Sequence, residues 1–136
     1  MEIQPLNPEQ QSALNDGLSL AAKLLDKNLP LSEANVQELY DALLKTEKEF
    51  PEGIIGLGIA FGQLIIETTG MDWSRISDEY GEETCLSFPN KQLICAPISM
   101  IQKRIEAKEP VDISNFVKGT TKLLQTRYNE VDYRAR

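Results

Sequence analysis

The sequence predicts an α+β fold in which an N-terminal helical hairpin and a buried central helix pack on a three-stranded antiparallel meander, followed by two C-terminal helices. Two observations predict it. Residues 53–66 are apolar or glycine except for Gln63, yet this run is shorter than the about 20 apolar residues that a membrane span requires. Residues 72–96 then divide into short segments separated by turn signals, as in β-strands. A length of 136 residues fits a single domain.

The first 50 residues predict two amphipathic helices. Residues 1–7 form a loose lead-in whose last member, Asn7, is a helix N-cap followed by proline. Apolar side chains then recur at three- and four-residue steps and predict a helix over 8–27. Ser32 caps a second helix over 33–48, and the short link between the two predicts an antiparallel hairpin.

The apolar run predicts a central helix that begins at Pro51 and ends at Gly70. Gly58 and Gly62 are four residues apart on one face, which favours close approach of another backbone. Together with Gly56 they loosely resemble a dinucleotide-binding loop. Such a loop lies between a strand and a helix, whereas these glycines lie inside the apolar run, so the packing interpretation is favoured.

Three antiparallel strands are predicted over 72–80, 84–88 and 92–96, with turns at 81–83 and 89–91. In strand 84–88, side chains alternate between the two faces of the sheet. The meander would present its apolar face to the central helix.

The two cysteines fall on the last two predicted strands. A three-residue loop centred on Asn90 would place Cys85 directly opposite Cys95. We expect both thiols to be reduced, as is usual in a cytoplasmic protein, with no disulfide. A redox switch is the alternative.

The C-terminal third predicts a short helix over 98–107, with Lys103 and Arg104 on its outer face, and a longer helix over 113–128 capped by Asp112. Residues 129–136 are expected to fray. The longer helix is predicted to turn six side chains inward: Phe116, Val117, Thr120, Leu123, Leu124 and Tyr128.

Composition excludes several functions. The chain contains no histidine, which excludes Ser-His-Asp and Cys-His nucleophile systems and zinc sites that use histidine. A net charge of −7 argues against binding nucleic acid through phosphate contacts. No segment resembles a signal peptide or a membrane anchor, so we expect a cytoplasmic protein without cofactor.

The charge is uneven along the chain. Residues 1–50 and 51–96 each carry −5, whereas residues 97–136 carry +3. An acidic body with a basic C-terminal third could attract a basic partner or a second copy of the chain. The plainer interpretation is that a negative surface aids solubility.

The densest polar cluster surrounds the first predicted strand turn and comprises Asp78, Glu79, Glu82 and Glu83. Three interpretations remain open: a solvated hairpin tip, a partner-binding patch, and a metal or acid–base site. Tyr80 lies within this cluster and is expected to be exposed.

Two features outside the cluster also have alternative interpretations. Trp73 is either a core anchor on the sheet or a binding hot spot. Lys103 and Arg104 either lie on a solvent-exposed helix face or form salt bridges, with the acidic hairpin or with a partner protein.

The residues from Gly58 to Arg104 resemble a family of small bacterial domains of unknown function. The resemblance rests on four motifs in this order: Gly58-x-x-x-Gly62, Gly70-Met71-x-Trp73, Asp78-Glu79-Tyr80-Gly81 and Pro97-x-Ser99-Met100-Ile101-x-Lys103-Arg104. It implies an α+β fold in which a glycine-bearing helix leads into a small sheet. It implies no activity and no catalytic residue, and the helices before Glu49 lie outside it.

We therefore expect a non-enzymatic, protein-binding module, in its most concrete form a bacterial immunity protein or inhibitor that neutralises a basic toxin domain. The expected contact residues are Asp78, Glu79, Tyr80, Glu82, Glu83, Lys103 and Arg104. The alternatives are a small-molecule-binding or carboxylate-based enzyme domain, and a subunit of a larger assembly or homodimer. We expect neither nucleic acid nor a membrane as partner.

Overall fold

The structure is a computed structural model that describes residues 1–88 and 90–134, and it confirms the α+β class. The described residues form five helices and one antiparallel sheet. Their bounds in chain order are β1 Glu2–Pro5, α1 Pro8–Leu25, α2 Glu33–Lys45, α3 Pro51–Thr69, β2 Asp72–Asp78, β3 Gly81–Ser87, β4 Ile94–Cys95, α4 Pro97–Glu106 and α5 Ile113–Arg134.

The predicted caps at Asn7, Ser32 and Asp112 and the predicted end at Gly70 are confirmed, whereas α1 and α2 end two and three residues before their predicted ends at 27 and 48. Asn7 Oδ1 accepts from the Gln10 N–H at 2.8 Å, and Ser32 Oγ accepts from the Asn35 N–H at 3.1 Å. Each bond satisfies a backbone donor that the first turn leaves unpaired. Gly70 ends α3 with a φ of +72°, a conformation that glycine adopts without steric cost. Asp112 Oδ1 accepts from the third backbone N–H after it, at the start of α5.

α3 is the centre of the core, and Leu57, Phe61 and Ile65 are fully buried along it. The glycines of α3 permit the predicted close contacts. A Cβ on Gly58 would lie 2.7 Å from the Cα of Ile98 on α4. The close packing of α3 buries apolar side chains, and this burial is the main favourable contribution to the free energy of folding.

The sheet has four strands in the order β1-β2-β3-β4, one more than predicted. Glu2–Pro5, expected to be a loose lead-in, pairs with β2 so that Ile3 lies opposite Ile76. The extra strand has only four residues and finds its partner some seventy positions later, and this pairing has no local sequence signal.

The predicted pairing of the last two strands is wrong by one position. Cys95 lies opposite Leu86, not Cys85, and the pairing ends where Ser87 meets Ile94. The connection therefore spans residues 88–93 instead of the three expected, and Pro89 lies outside the described residues. Since side chains alternate across a strand, the one-residue shift turns Cys85 and Cys95 toward opposite faces.

The C-terminal helix also differs from its prediction. α5 continues to Arg134, beyond the expected end at 128, and residues 135 and 136 lie outside the described part of the chain. Leu123 and Tyr128, expected to point inward, are 56% and 37% exposed. The predicted burial of Val117, Thr120 and Leu124 is confirmed, and Thr121, which was not predicted to point inward, is buried beside them. Within residues 1–88 and 90–134, no helix has the length and apolar character needed to cross a membrane.

Candidate functional site

The acidic cluster lies at the end of the hairpin formed by β2 and β3. Asp78 pairs with Gly81, so the connecting turn consists of Glu79 and Tyr80 alone, two residues earlier than predicted. The Tyr80 N–H donates to Asp78 Oδ1 at 2.8 Å, an Asx turn. Gly81 has a φ of +124°, which favours glycine. Glu82, predicted to lie in the turn, belongs to β3, because the turn chemistry is supplied by Asp78 and Gly81.

We call Asp78, Glu79, Tyr80, Glu82 and Glu83 the acidic tip. All five are exposed, and the Tyr80 side chain reaches 89%, the highest exposure among the large hydrophobic residues described. The predicted exposure of Tyr80 is thus confirmed. The acidic tip thus combines four exposed acidic residues with one exposed aromatic ring at the turn.

Arg75, in the middle of β2, contacts the acidic tip from within the sheet. Its Nη1 lies 4.0 Å from Glu82 Oε1, and its Nη2 donates to Gln4 Oε1 on β1. Ser77 Oγ also donates to Glu82, at 3.5 Å. The role of Arg75 was not predicted, although a single basic residue in a strand beside four acids was an available signal.

A second support comes from α4. Ser99 Oγ donates to Glu83 Oε1 at 2.5 Å, which fixes one carboxylate of the acidic tip against the helix. Lys103 is one turn further along and exposed, so it shares this face of α4. The Ser99–Glu83 bond was not predicted, because a serine in a helix gives no sign of which distant carboxylate it will contact.

Arg104 lies elsewhere. Its guanidinium carbon is 4.3 Å from the centre of the Phe116 ring, and its Nη1 donates to the Met100 carbonyl at 3.1 Å. The side chain is half-buried between α4 and α5. The structure therefore places Arg104 in the packing of the two C-terminal helices and not beside the acidic tip.

Trp73 packs against the core as an anchor on the sheet, which is the first of the two predicted roles, and not as an exposed binding residue. A Cβ on Gly62 would lie 2.5 Å from Trp73 Cη2 and 3.0 Å from Pro97 Cγ. The tryptophan is half-buried and its Nε1 has no hydrogen-bond partner among the described residues. It lies near the end of the hairpin opposite to the acidic tip.

The arrangement of the acidic tip does not suit the catalytic interpretation. An acid–base site needs carboxylates that converge in a concavity, whereas the four acidic residues of the acidic tip are exposed, and Glu82 and Glu83 contact Arg75 and Ser99 separately. In residues 1–88 and 90–134, no three His, Cys, Asp or Glu side chains are grouped to hold a metal ion. The carboxylate-based enzyme hypothesis thus lacks the geometry on which it depended.

Both cysteines are free and buried. Burial raises the pKa of Cys85 to about 12, with smaller contributions from Glu83 and Cys95, and burial raises the pKa of Cys95 to about 11. Because the thiolate is the reactive form, both thiols are poor nucleophiles near neutral pH.

A family model described as "Domain of unknown function (DUF3806)" matches residues 34–116. The match includes α2, which the sequence resemblance had left out. A crystal structure of a protein from Bacteroides thetaiotaomicron VPI-5482 is similar, with a TM-score of 0.69 at 17% identity. The alignment covers 88% of this chain and 46% of that one, so this chain spans about half of that protein's length, and the likeness shows the fold alone. No curated protein matches the sequence.

Proposed function

The chain belongs to the DUF3806 family, a domain of unknown function, and we propose that it is a non-enzymatic protein-binding module whose contact surface is the acidic tip. The observation that carries the proposal is Tyr80, 89% exposed at the apex of the hairpin. Tyrosine is among the residue types that dominate binding energy at interfaces, and a ring so exposed has nearly all of its apolar surface available for burial against a partner.

The negative charge around Tyr80 indicates a positively charged partner. Asp78, Glu79, Glu82 and Glu83 are exposed, within a chain of net charge −7. A surface of this sign accelerates the encounter with a basic surface and disfavours acidic partners. The partner is therefore a protein with a cluster of lysine and arginine residues beside an apolar pocket that accepts a tyrosine ring.

The hairpin is held ready for binding. Its turn is closed by the Asx bond of Asp78, and Glu82 and Glu83 next to the turn are held by Arg75 and by Ser99. Association therefore costs little ordering of the backbone at the contact surface, and this preserves affinity.

The most concrete form of the proposal is an immunity protein or inhibitor that neutralises a basic toxin domain in a bacterial cytoplasm. Two features support it: the acidic surface and the exposed aromatic ring. A subunit of a larger assembly would use the same surface, and the identity of the captured partner distinguishes the two forms.

Photo-crosslinking tests the contact surface directly. A photoreactive phenylalanine analogue replaces Tyr80 in one variant and Leu123 in a control, because Leu123 is also exposed, at 56%, but lies on α5. In lysate of the source organism, the analogue at position 80 should capture one stoichiometric basic protein that the analogue at position 123 does not. If position 80 captures no stoichiometric protein, or if both positions capture the same set, the acidic tip is not a contact surface.

Binding measurements on the purified complex separate the aromatic and electrostatic contributions. Tyr80→Ala should weaken the complex by about thirtyfold, as for an interface hot spot of about 2 kcal/mol. Glu79→Lys leaves the Asx bond of Asp78 intact, so it should slow association and flatten its salt dependence, whereas Glu38→Lys, at an exposed acid on another part of the chain, should affect both less. Equal effects of the two reversals would remove the electrostatic part of the proposal only.

A further inference from the structure

Gln63 is the one polar residue of the apolar run 53–66. It lines a pocket that contains no residue of the acidic tip. The pocket has a volume of about 340 Å³ and lies where α3 meets α1 and the α1–α2 connection. It is lined by Leu18, Leu29, Pro30, Leu31, Ala60, Gln63 and Glu67.

The walls of the pocket are apolar. Leu31 is buried and Ala60 is only 2% exposed, whereas Leu29 at the rim is 47% exposed. Ala60, Gln63 and Glu67 follow at steps of three and four residues, so they share one face of α3. A volume of this size is at the lower end of the range for small-molecule sites.

The two polar groups in the pocket have no partner within the described part of the chain. The half-buried Gln63 amide makes no hydrogen bond there, and the exposed carboxylate of Glu67 takes part in no hydrogen bond or ion pair. Gln63 is not among the buried polar side chains that lack a partner, so its amide reaches water and can exchange that water for a ligand. A carboxylate one helical turn away adds a negative charge at the mouth.

We infer that this pocket binds a small organic amine: an aliphatic or aromatic body of about six carbon atoms fills the apolar part, and its ammonium group is held by Glu67 and by the Gln63 side-chain oxygen. The negative charge of Glu67 determines the class of ligand. A carboxylate and an amide oxygen both accept hydrogen bonds from an ammonium group, while the negative charge of Glu67 disfavours an acid of the same size. This inference is independent of the acidic tip.

An NMR titration with n-hexylamine tests the inference, with 1-hexanol and hexanoate as probes of matched length. Hexylamine should shift the Gln63 side-chain amide and the backbone amides of Leu31 and Glu67 saturably. The dissociation constant should be on the order of 1 mM, the strength available to seven non-hydrogen atoms. Hexanol should bind several times more weakly, and hexanoate should not saturate the pocket. Equal binding of hexanoate, or amine shifts spread over the acidic surface without saturation, would overturn the inference.

Two carboxylate variants separate the pocket from general attraction to an acidic protein. Glu67→Gln should weaken hexylamine binding about two- to fivefold and leave hexanol unchanged, the range measured for exposed ion pairs. Glu52→Gln removes an exposed acid at the other end of the same helix and should leave both unchanged. Equal losses in the two variants would show that the amine senses only net charge.

Gln63→Leu adds a readout that a purely structural role would not give. The leucine removes the hydrogen-bond acceptor and leaves the contacts of the fold in place, so hexylamine affinity should fall at least fivefold while thermal stability is retained. If Gln63→Leu instead lowers stability, the amide has a structural partner; if it leaves the amine affinity unchanged, Gln63 does not contact the ligand. Either result contradicts the assignment.

Discussion

The carbonyl oxygen of Gly17 on α1 faces Gly56 on α3 so closely that a Cβ on Gly56 would lie 2.7 Å from it. The same Cβ would lie 3.6 Å from the Ala21 side chain. α1 and α3 thus meet where both have a glycine. The contact is between backbones, and no side-chain rotation relieves a group inserted there.

Gly56→Ala should therefore destabilise the protein although alanine is the better helix former. We expect the free energy of unfolding to fall by about 1–3 kcal/mol, the usual cost of overpacking a core. Gly119→Ala is the matched control, because Gly119 lies inside α5 and a Cβ there meets nothing within 4 Å. That variant should gain about 0.5–1 kcal/mol from helix propensity. Urea denaturation measures both. If the two variants changed in the same direction, the α1–α3 contact would be looser than the structure shows.

The sequence predicted those parts of the fold that depend on neighbouring residues. The caps at Asn7 and Ser32 and the end at Gly70 are local signals, so α1, α2 and α3 begin where expected and end within a few residues of their predictions. β1 and the register of Cys95 depend on pairings across the chain. A strand of two to four residues carries too little pattern to reveal such pairings.

The same division applies to the acidic tip. Alternation and charge predicted an exposed Tyr80 among carboxylates. Helical periodicity placed Arg104 on the outer face of α4, but it could not show that Phe116 of α5 covers this position. The Ser99–Glu83 bond likewise joins two elements whose relative position only the folded chain determines.

Gln37 connects α2 to the segment before α5, and its loss should be costly. Its Nε2 donates to the Val111 carbonyl at 2.9 Å, and its Oε1 accepts from the Ile113 N–H at 2.7 Å. Gln37→Ala leaves both backbone groups without this partner, so the free energy of unfolding should fall by about 1–3 kcal/mol. Hydrogen exchange at the Ile113 amide should accelerate. Gln11→Ala removes a glutamine whose side chain bonds only Asn15 in the described chain, and this control should stay within about 0.5 kcal/mol of the original.

Lys103 and Arg104 are adjacent and both basic, yet they should respond differently to alanine. Arg104 lies over the Phe116 ring and covers apolar surface between α4 and α5, so Arg104→Ala should cost about 1 kcal/mol from the lost cation–π contact and packing. Lys103 is exposed, and Lys103→Ala should change stability by less than about 0.5 kcal/mol. Thermal denaturation compares the pair. Equal losses would show that net charge, and not the contact with Phe116, sets the stability.

The buried thiols predict a loss of stability in alkali. Burial raises the pKa of Cys85 to about 12 and that of Cys95 to about 11, from an ordinary value of 9.0. Burial, and then the nearby Glu109, also raises the pKa of Tyr40, whose hydroxyl donates to the Glu109 carbonyl at 2.5 Å. Below pH 9 both states hold these thiol protons, so the stability is fully present. Between pH 9 and about 12 the unfolded chain releases protons that the native chain retains, and the free energy of unfolding falls.

Urea denaturation at pH 8, 9, 10 and 11 measures this fall, and Cys85→Ala with Cys95→Ala isolates the thiol contribution. The double variant starts from a lower stability, because two buried side chains are truncated, but its decline between pH 9 and 11 should be shallower than that of the original protein. Tyr40→Phe separately removes the phenol contribution, which begins near pH 10. Other groups titrate alike in all the variants and cancel in the comparison. Parallel curves for the double variant and the original protein would mean that both thiols ionise as easily in the folded chain as in the unfolded one. That result would contradict the raised pKa values of Cys85 and Cys95.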